Sequence, residues 1–293
     1  MRISDQQIYR LATLRITNAR TESVVAGEQV DTGKRVTHPW DDAGASGLIA
    51  RHAQEQARQT AVYGVAKQAS EELGVVDSTL DQVTNSLTRA HELAVQLGSD
   101  TYNATDRANG AVEVQQLMSA AVAQLNQRFG DRYIFGGMLD NAPPFDAAGN
   151  YSGDANVRQV EIAPGLMQDA SLRADQAFKG AGGGTDILAA FTSLSTALST
   201  NDATQIRASI ATLADGIQQM SNFRSRTGAM MNVFDVAANT AKTFSQDAED
   251  ARGTLEDVDI FAASTRLAAA QSSLEASMSA AAQQFRLSLV DKL

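Results

Sequence analysis

The sequence predicts a mainly α protein, an elongated antiparallel helical bundle or coiled-coil rod made from both chain ends, with a small β-rich insert in its middle. Three observations predict it. The longest apolar rhythm runs from Val62 to Leu97 through Ala66, Ala69, Leu73, Val76, Leu80, Val83, Leu87, Ala90 and Ala94, in unbroken steps of three and four. The composition is 43% hydrophobic but only 5% aromatic, so the core is aliphatic and alanine-rich, which suits long helices better than a sandwich. Three of the four prolines fall between Asn141 and Lys179, which confines the break in helical texture to one place.

From Tyr9, the positions Ala12, Ile16, Ala19, Ser23, Ala26 and Val30 keep the same spacing, with small residues on alternate turns that allow close approach. DTGKRVTHPWDD ends this first helix: Gly33 permits a turn, Pro39 pushes His38 out of helical geometry, and Asp41 or Asp42 can cap the next helix. The central seam comes next, and burying its Leu and Val side chains contributes roughly 10 to 20 kcal/mol at most, so it needs partner helices. LGSDTYNATDR turns the chain into a helix through Ala111, Val114, Met118, Ala121 and Leu125. RYIFGG and Pro143-Pro144 then stop helical structure. Gln159 to Ile162 and Gln168 to Ala174 alternate as strands about a Pro164-Gly165 turn, and GAGGG at Gly180 to Gly184 reads as a linker. Asp186 caps a run through Ile187, Phe191, Leu194 and Leu198. Two more helical runs pass through Ile206, Ile210, Leu213, Ile217 and Met220, and through Met230, Val233, Ala237, Thr240 and Phe244. The last helix places Leu267, Leu274, Met278, Phe285 and Leu289 on one face.

This organisation gives three domains: 1–38 with 255–293 as a terminal coiled coil, 39–140 with 185–254 as a helical rod, and 141–184 as a β-rich outer domain with its glycine linker. Leu73, Val76, Leu80, Val83 and Leu87 form the rod core. The terminal helices are too small to fold alone, so Tyr9, Ile16, Val30, Leu267, Leu274, Met278, Phe285 and Leu289 are expected to order against copies and neighbours.

Chemistry-bearing motifs fail on spacing, so no catalytic, cofactor or metal residue is expected. Gly27 to Gly33-Lys34 has five residues between its glycines where a phosphate loop has four, and Arg35 replaces the magnesium-holding hydroxyl. His91-Glu92 would need a second histidine at Val95. His38 and His52 lack partners at ligand spacing, and Asp100, Asp106 and Asp154 lack the spacing of a calcium loop. Asn103-Ala104-Thr105 and Asn150-Tyr151-Ser152 match a sequon short enough to arise by chance. With no cysteine there are no disulfides, and a net charge of −10 without a Lys/Arg run disfavours nucleic acid and anionic membrane. The opening MRISDQQIYRLATLR lacks the apolar core of a cleaved secretory signal.

Several motifs stand in a specific order: MRIS, then GEQVDTGKRVTHPWDDAGAS from Gly27 to Ser46, RYIFGG at Arg132 to Gly137 with PPF after it, LEDVD at Leu255 to Asp259, the heptad from Gln271 to Met278, and the closing SLVDKL. On these the chain resembles the hook-filament junction family of the bacterial flagellum, hook-associated protein 3, a flagellin-like group. Departures are Trp40, where the family often has serine, Lys292, where an aromatic is common, and DDAGAS and HELAVQ, which lean towards flagellin. The resemblance implies an extracellular structural subunit, not an enzyme, exported unfolded through the flagellar type III apparatus with a chaperone and no cleaved signal. It implies a homo-oligomeric ring between a hook-side junction protein and flagellin, with no cofactor. Flagellin itself is the second reading, and a secreted enzyme on a flagellin-like rod the third.

Overall fold

The computed structural model describes residues 2–290, with the side chains of Gln7 and of 9–283. In chain order the elements are α1 (Arg2–Thr32), α2 (Ala43–Leu97), α3 (Ala104–Leu125), β1 (Arg128–Phe129), β2 (Arg132–Tyr133), β3 (Gln159–Ala163), β4 (Leu166–Asp169), α4 (Ala174–Phe178), α5 (Ile187–Ser199), α6 (Ala203–Glu256) and α7 (Ile260–Val290). The chain is mainly α, with two small antiparallel sheets, β1-β2 and β3-β4, in its middle. It divides into two compact units, Met1–Arg58 with Phe244–Leu293, and Gln59–Thr243.

The terminal unit is built on α1 packed against α7. Their contact is made of small side chains: Ala19 and Ala26 are buried on α1, and Ala263, Ala270 and Ala281 on α7, with Ile16, Val30, Leu267 and Leu274 half-buried between them. The stripe on α7 therefore runs 263, 267, 270, 274, 277, 281, a heptad that passes through Ser277 and leaves Met278 in solvent. Spacing alone places Met278 on that stripe because it is the larger neighbour; the backbone phase selects the small one. Phe285 and Leu289 lie outside the described side chains.

A compact joint closes this unit. Gly33 takes a positive φ of 70°, the left-handed geometry that ends a helix cheaply only at glycine, and its N–H donates to Gln29 at 3.0 Å. Its carbonyl accepts from Val258 N–H at 3.0 Å, and Arg35 N–H donates to the Glu256 carbonyl at 2.6 Å. The Lys34 ammonium lies 2.6 Å from Glu256, and Arg35 bridges Asp42 and the Leu255 carbonyl. Asp42 caps α2 by accepting from Ala45 N–H at 2.9 Å, and Asp259 caps α7 by accepting from Phe261 and Ala262.

The larger unit has a conventional core. Leu73, Leu80, Val83 and Leu87 are fully buried and Val76 is 2% exposed. Around Val76 to Leu97 pack Val114, Ala121 and Leu125 of α3, Phe191, Leu194 and Leu198 of α5, and Ile206, Leu213 and Met220 of α6. A second cluster joins Ala66, Ala69 and Leu73 to Phe234 and Ala238 of α6 and to Val160 and Ala170 of the β3-β4 hairpin.

Three features differ from expectation. Helix α6 is one element of 54 residues, and its second half is phased one residue away from the expected run: Phe234, Ala238 and Ala241 are buried while Val233 and Phe244 are exposed. The seam passes through buried Thr227, whose hydroxyl donates to the Phe223 carbonyl; a polar residue at that position hides the rhythm. Strand β4 begins at Leu166, immediately after Gly165 at φ 74°, and ends at Asp169. The Gly180 to Gly184 stretch is an ordered turn: Lys179 and Asp186 pair across it, and Gln219 accepts from Thr185 N–H while donating to the Thr185 and Ala177 carbonyls. The insert, about forty residues and too short to bury much surface alone, lends its apolar side chains to the helices. Phe145, Leu172, Ala177 and Phe178 belong to the helical core, with Phe178 edge-on to Phe135 at 5.1 Å and to Phe145 at 5.9 Å.

Polar side chains fix these parts. Glu72, nearly buried on α2, accepts from Arg132 at 3.0 Å and from Arg158, tying both hairpins to the helix. Arg224 on α6 spans Asp77 and Asp81. Buried Arg107 on α3 donates to the Leu97 and Ser99 carbonyls and to Asn201 Oδ1, and Arg207 donates to the Gly98 carbonyl. Tyr151 places its hydroxyl 2.8 Å from the Asp154 carbonyl and 3.1 Å from that of Phe135; burial pushes this phenol up to about 12.

Candidate assembly surfaces

Among the described residues no group of three His, Asp or Glu side chains could hold a metal ion, and no helix is long and apolar enough to cross a membrane. The sequence motifs are absorbed by structure. Gly27 lies inside α1 and Lys34 is paired with Glu256. Asn103 is the N-cap of α3, exchanging bonds with Asp106 in a capping box, and the Asn150 amide donates to Asp146. That amide, with backbone N–H groups of the same loop, holds Asp146 below the usual carboxylate range.

Both terminal helices leave apolar side chains on the surface. α1 exposes Tyr9, Leu11, Leu14, Val24 and Val25, and α7 exposes Ile260, Phe261 and Met278. A groove between the two helices is lined by Thr21, Val25, Ala26, Ala269, Ala270 and Ser273, and a second one by Leu11, Ala12, Arg15, Ala276, Ala280 and Ala281. The expected interface residues divide into two sets. Ile16, Val30, Leu267 and Leu274 are half-used by the α1-α7 contact, while Tyr9 and Met278 face solvent at 59% and 49% exposure. Leu73, Val76, Leu80, Val83 and Leu87 lie in the other unit, interior to it.

Trp40 and Phe261 carry no seam signal and the periodicity reading passes over them as sites. Trp40 is a lone aromatic in a polar stretch and Phe261 stands just after one, which is the one signal the sequence offers. Trp40 is 77% exposed and stacks on His38 with centroids 4.5 Å apart at 14°. The loop beneath it is fixed by Asp41, which accepts from Thr37 and His38 N–H groups at 3.0 and 2.7 Å. The His38 N–H holds the Asp41 carboxyl below its ordinary range, and the Ala45 N–H, then Arg35, do the same for Asp42.

The two ends of the chain match two family models: the bacterial flagellin N-terminal helical region over residues 3–139, and the bacterial flagellin C-terminal helical region over residues 200–293. The chain belongs to the flagellin family. Within the family it is similar to flagellar hook-associated protein 3 of Salmonella typhimurium, at 37% identity over 163 residues that make up 54% of this chain and 51% of that one. The same protein of Escherichia coli K12 is 34% identical over 165 residues, 55% of this chain and 52% of the relative. The chain thus spans about half the length of the curated relatives it matches. Among solved structures, the flagellar junction protein FlgL from Legionella pneumophila superposes with a TM-score of 0.58 at 14% identity, covering 72% of this chain and all of that one, a likeness of fold. In this flagellin-family chain the matched ends contain α1 and α7, the two helices that pair.

Proposed function

We propose that this chain is a structural subunit of the bacterial flagellum that joins the hook to the filament as a homo-oligomeric ring, and that it is not an enzyme. The observation that carries the reading is the α1-α7 pair. Flagellin helical regions from opposite ends of the chain meet there through alanines and leave apolar side chains in water along both helices. Such a pair buries little on its own, and its exposed side chains gain their stabilisation when copies pack side by side. Similarity to hook-associated protein 3 over half its length supports the junction role. On this reading Tyr9, Ile16, Val30, Leu267, Leu274, Met278, Phe285 and Leu289 serve subunit contact. The terminal coiled coil is 1–38 with 255–293, the rod 39–140 with 185–254, and 141–184 the outer part. The neighbours are a hook-side junction protein and flagellin, and an export chaperone delivers the chain to the outside of the cell.

Electron microscopy of cells lacking the protein tests this. Hooks without filaments, with flagellin monomers lost to the medium, are the expected result, and normal filaments would overturn it. Purified chain that polymerises alone into long filaments would mark it as the filament subunit instead.

A further inference from the structure

The joint of the terminal unit displays two aromatics that its own fold does not use. Trp40 and Phe261 are 77% and 84% exposed, and each stands a few residues from the Gly33-Val258 contact. Neither sits on a loose loop. Asp41 and Asp42 fasten the Trp40 loop, His38 backs the indole, and Asp259 fixes the first turn of α7 below Phe261. A large aromatic held rigidly in water is a poor choice for solubility and a good one for binding, because the ordering cost of docking is already met.

The charge around them says what would dock. Residues 247–259 hold six carboxylates against Arg252 alone, and Arg252 and Lys34 are both spent on Glu256. Glu249 and Asp250 are exposed. The same unit carries the opposite charge elsewhere. Between residues 6 and 21 of α1 the only charged side chains are Arg10, Arg15 and Arg20; all three are exposed, and among the described residues they make no ion pair. One unit therefore presents an acidic, aromatic-studded joint and a basic first half of α1, two surfaces that cannot satisfy each other within one straight helix but can between molecules.

We infer that the joint docks the basic half of α1 from a second copy of this chain, head to tail, with Trp40 and Phe261 packing on that helix and its arginines meeting the carboxylates. Repetition of one such heterologous contact builds a ring or helical array. The inference rests on the proposed flagellar role only for its setting.

Trp40 is the single tryptophan, so the full-length chain carries its own reporter. In a concentration series at low salt, sedimentation should show self-association accompanied by a blue shift of tryptophan emission and reduced acrylamide quenching. Both effects should vanish near 1 M salt, where the Debye length falls to about 3 Å. Trp40→Ala should weaken association about thirtyfold, the loss typical of a central aromatic anchor. An Arg10→Glu, Arg15→Glu, Arg20→Glu variant and a Glu249→Lys, Asp250→Lys variant, each checked for native helicity, should fail to associate alone and associate when mixed. Association with Trp40 still accessible, wild-type behaviour of the triple variant, failure of the mixture, or no association at low salt would each overturn the docking mode. Those outcomes leave the junction reading standing, because that reading falls on other results: filaments kept by cells without the protein, or long filaments built by the purified chain alone.

Discussion

The α2 seam and the α1-α7 contact are written in the same heptad spacing, yet the first makes a core and the second a thin joint. The difference is side-chain volume. Between Leu73 and Leu87 every seam position is Leu or Val and is buried, Leu73 against α6 and the β3-β4 hairpin and the rest in a cluster shared with α3, α5 and α6. Between Ala12 and Ala26 the seam is mostly alanine and serine and meets one partner helix, with Leu and Val residues left outside. Apolar area removed from water sets stability, so the first region supports itself, whereas the second leaves apolar surface that other copies of the chain would cover on the proposed reading. Spacing thus identifies which residues face a partner; size identifies whether the partner is within the chain.

The sharpest way to break this comparison is Leu80→Asp. An unpaired carboxylate at a fully buried position costs several kcal/mol, comparable to the stability of a whole domain, and cooperative melting of the larger unit should disappear. Phe178→Ala comes next. Because this ring belongs to the helical core, the loss should be about 3 to 5 kcal/mol by denaturant unfolding. A loss below about 1 kcal/mol would mean that the insert is separable after all. Glu72→Gln removes the negative charge shared by Arg132 and Arg158, both partly exposed, and should cost about 1 to 2 kcal/mol, with faster hydrogen exchange in β3 and β4.

Smaller effects are expected at two further positions. The Tyr151 phenol is raised to about 12 in the folded chain, so it keeps its proton where the unfolded chain has lost it. That contribution is complete below the unfolded value of about 10 and is lost as pH rises through 12, so stability should fall across that interval. Tyr151→Phe should flatten this alkaline limb while costing about 1 kcal/mol near neutrality through its lost hydrogen bonds. Leu274→Asp closes the series. At a half-buried site outside the larger unit, it should change that unit's melting by less than about 0.5 kcal/mol while abolishing assembly and motility. Equal destabilisation by Leu80→Asp and Leu274→Asp would erase the distinction between the two regions.

Much of this fold was legible in residue spacing. The α2 seam, the helix caps at Asp42 and Asp186, the α2-α3 turn and the Pro164-Gly165 turn all arise from local chemistry, which is the same in the chain and in the fold. What escaped depends on contacts between distant residues. Thr227 conceals a continuous helix because its hydroxyl is satisfied by its own backbone, which a polarity pattern cannot show. The glycine stretch looks flexible until Gln219, more than thirty residues later, fills its hydrogen bonds. That the insert must dock is readable from its length, but which helical side chains receive Phe145 and Phe178 is not, because those partners are distant in sequence. Of the candidate surface, the half-buried seam residues were readable, whereas Trp40 and Phe261 were not, since exposure is invisible to periodicity.

Two arginines from α3 and α6 that close on the end of α2 fix its alignment. A seam in which Leu73, Leu80 and Leu87 recur every seven residues, with Val76 and Val83 between them, looks nearly the same after sliding by one repeat. Leucine packing alone therefore penalises a slipped bundle weakly. Arg107 and Arg207 do not repeat. They collect the carbonyls of Leu97, Gly98 and Ser99, where the negative end of the helix dipole favours cations, and Arg107 also holds Asn201. A slide of seven residues would strand a buried guanidinium and empty every one of these bonds at once, so charged contacts at this terminus, with Arg224 on Asp77 and Asp81 further along, make an otherwise degenerate zipper close in one position.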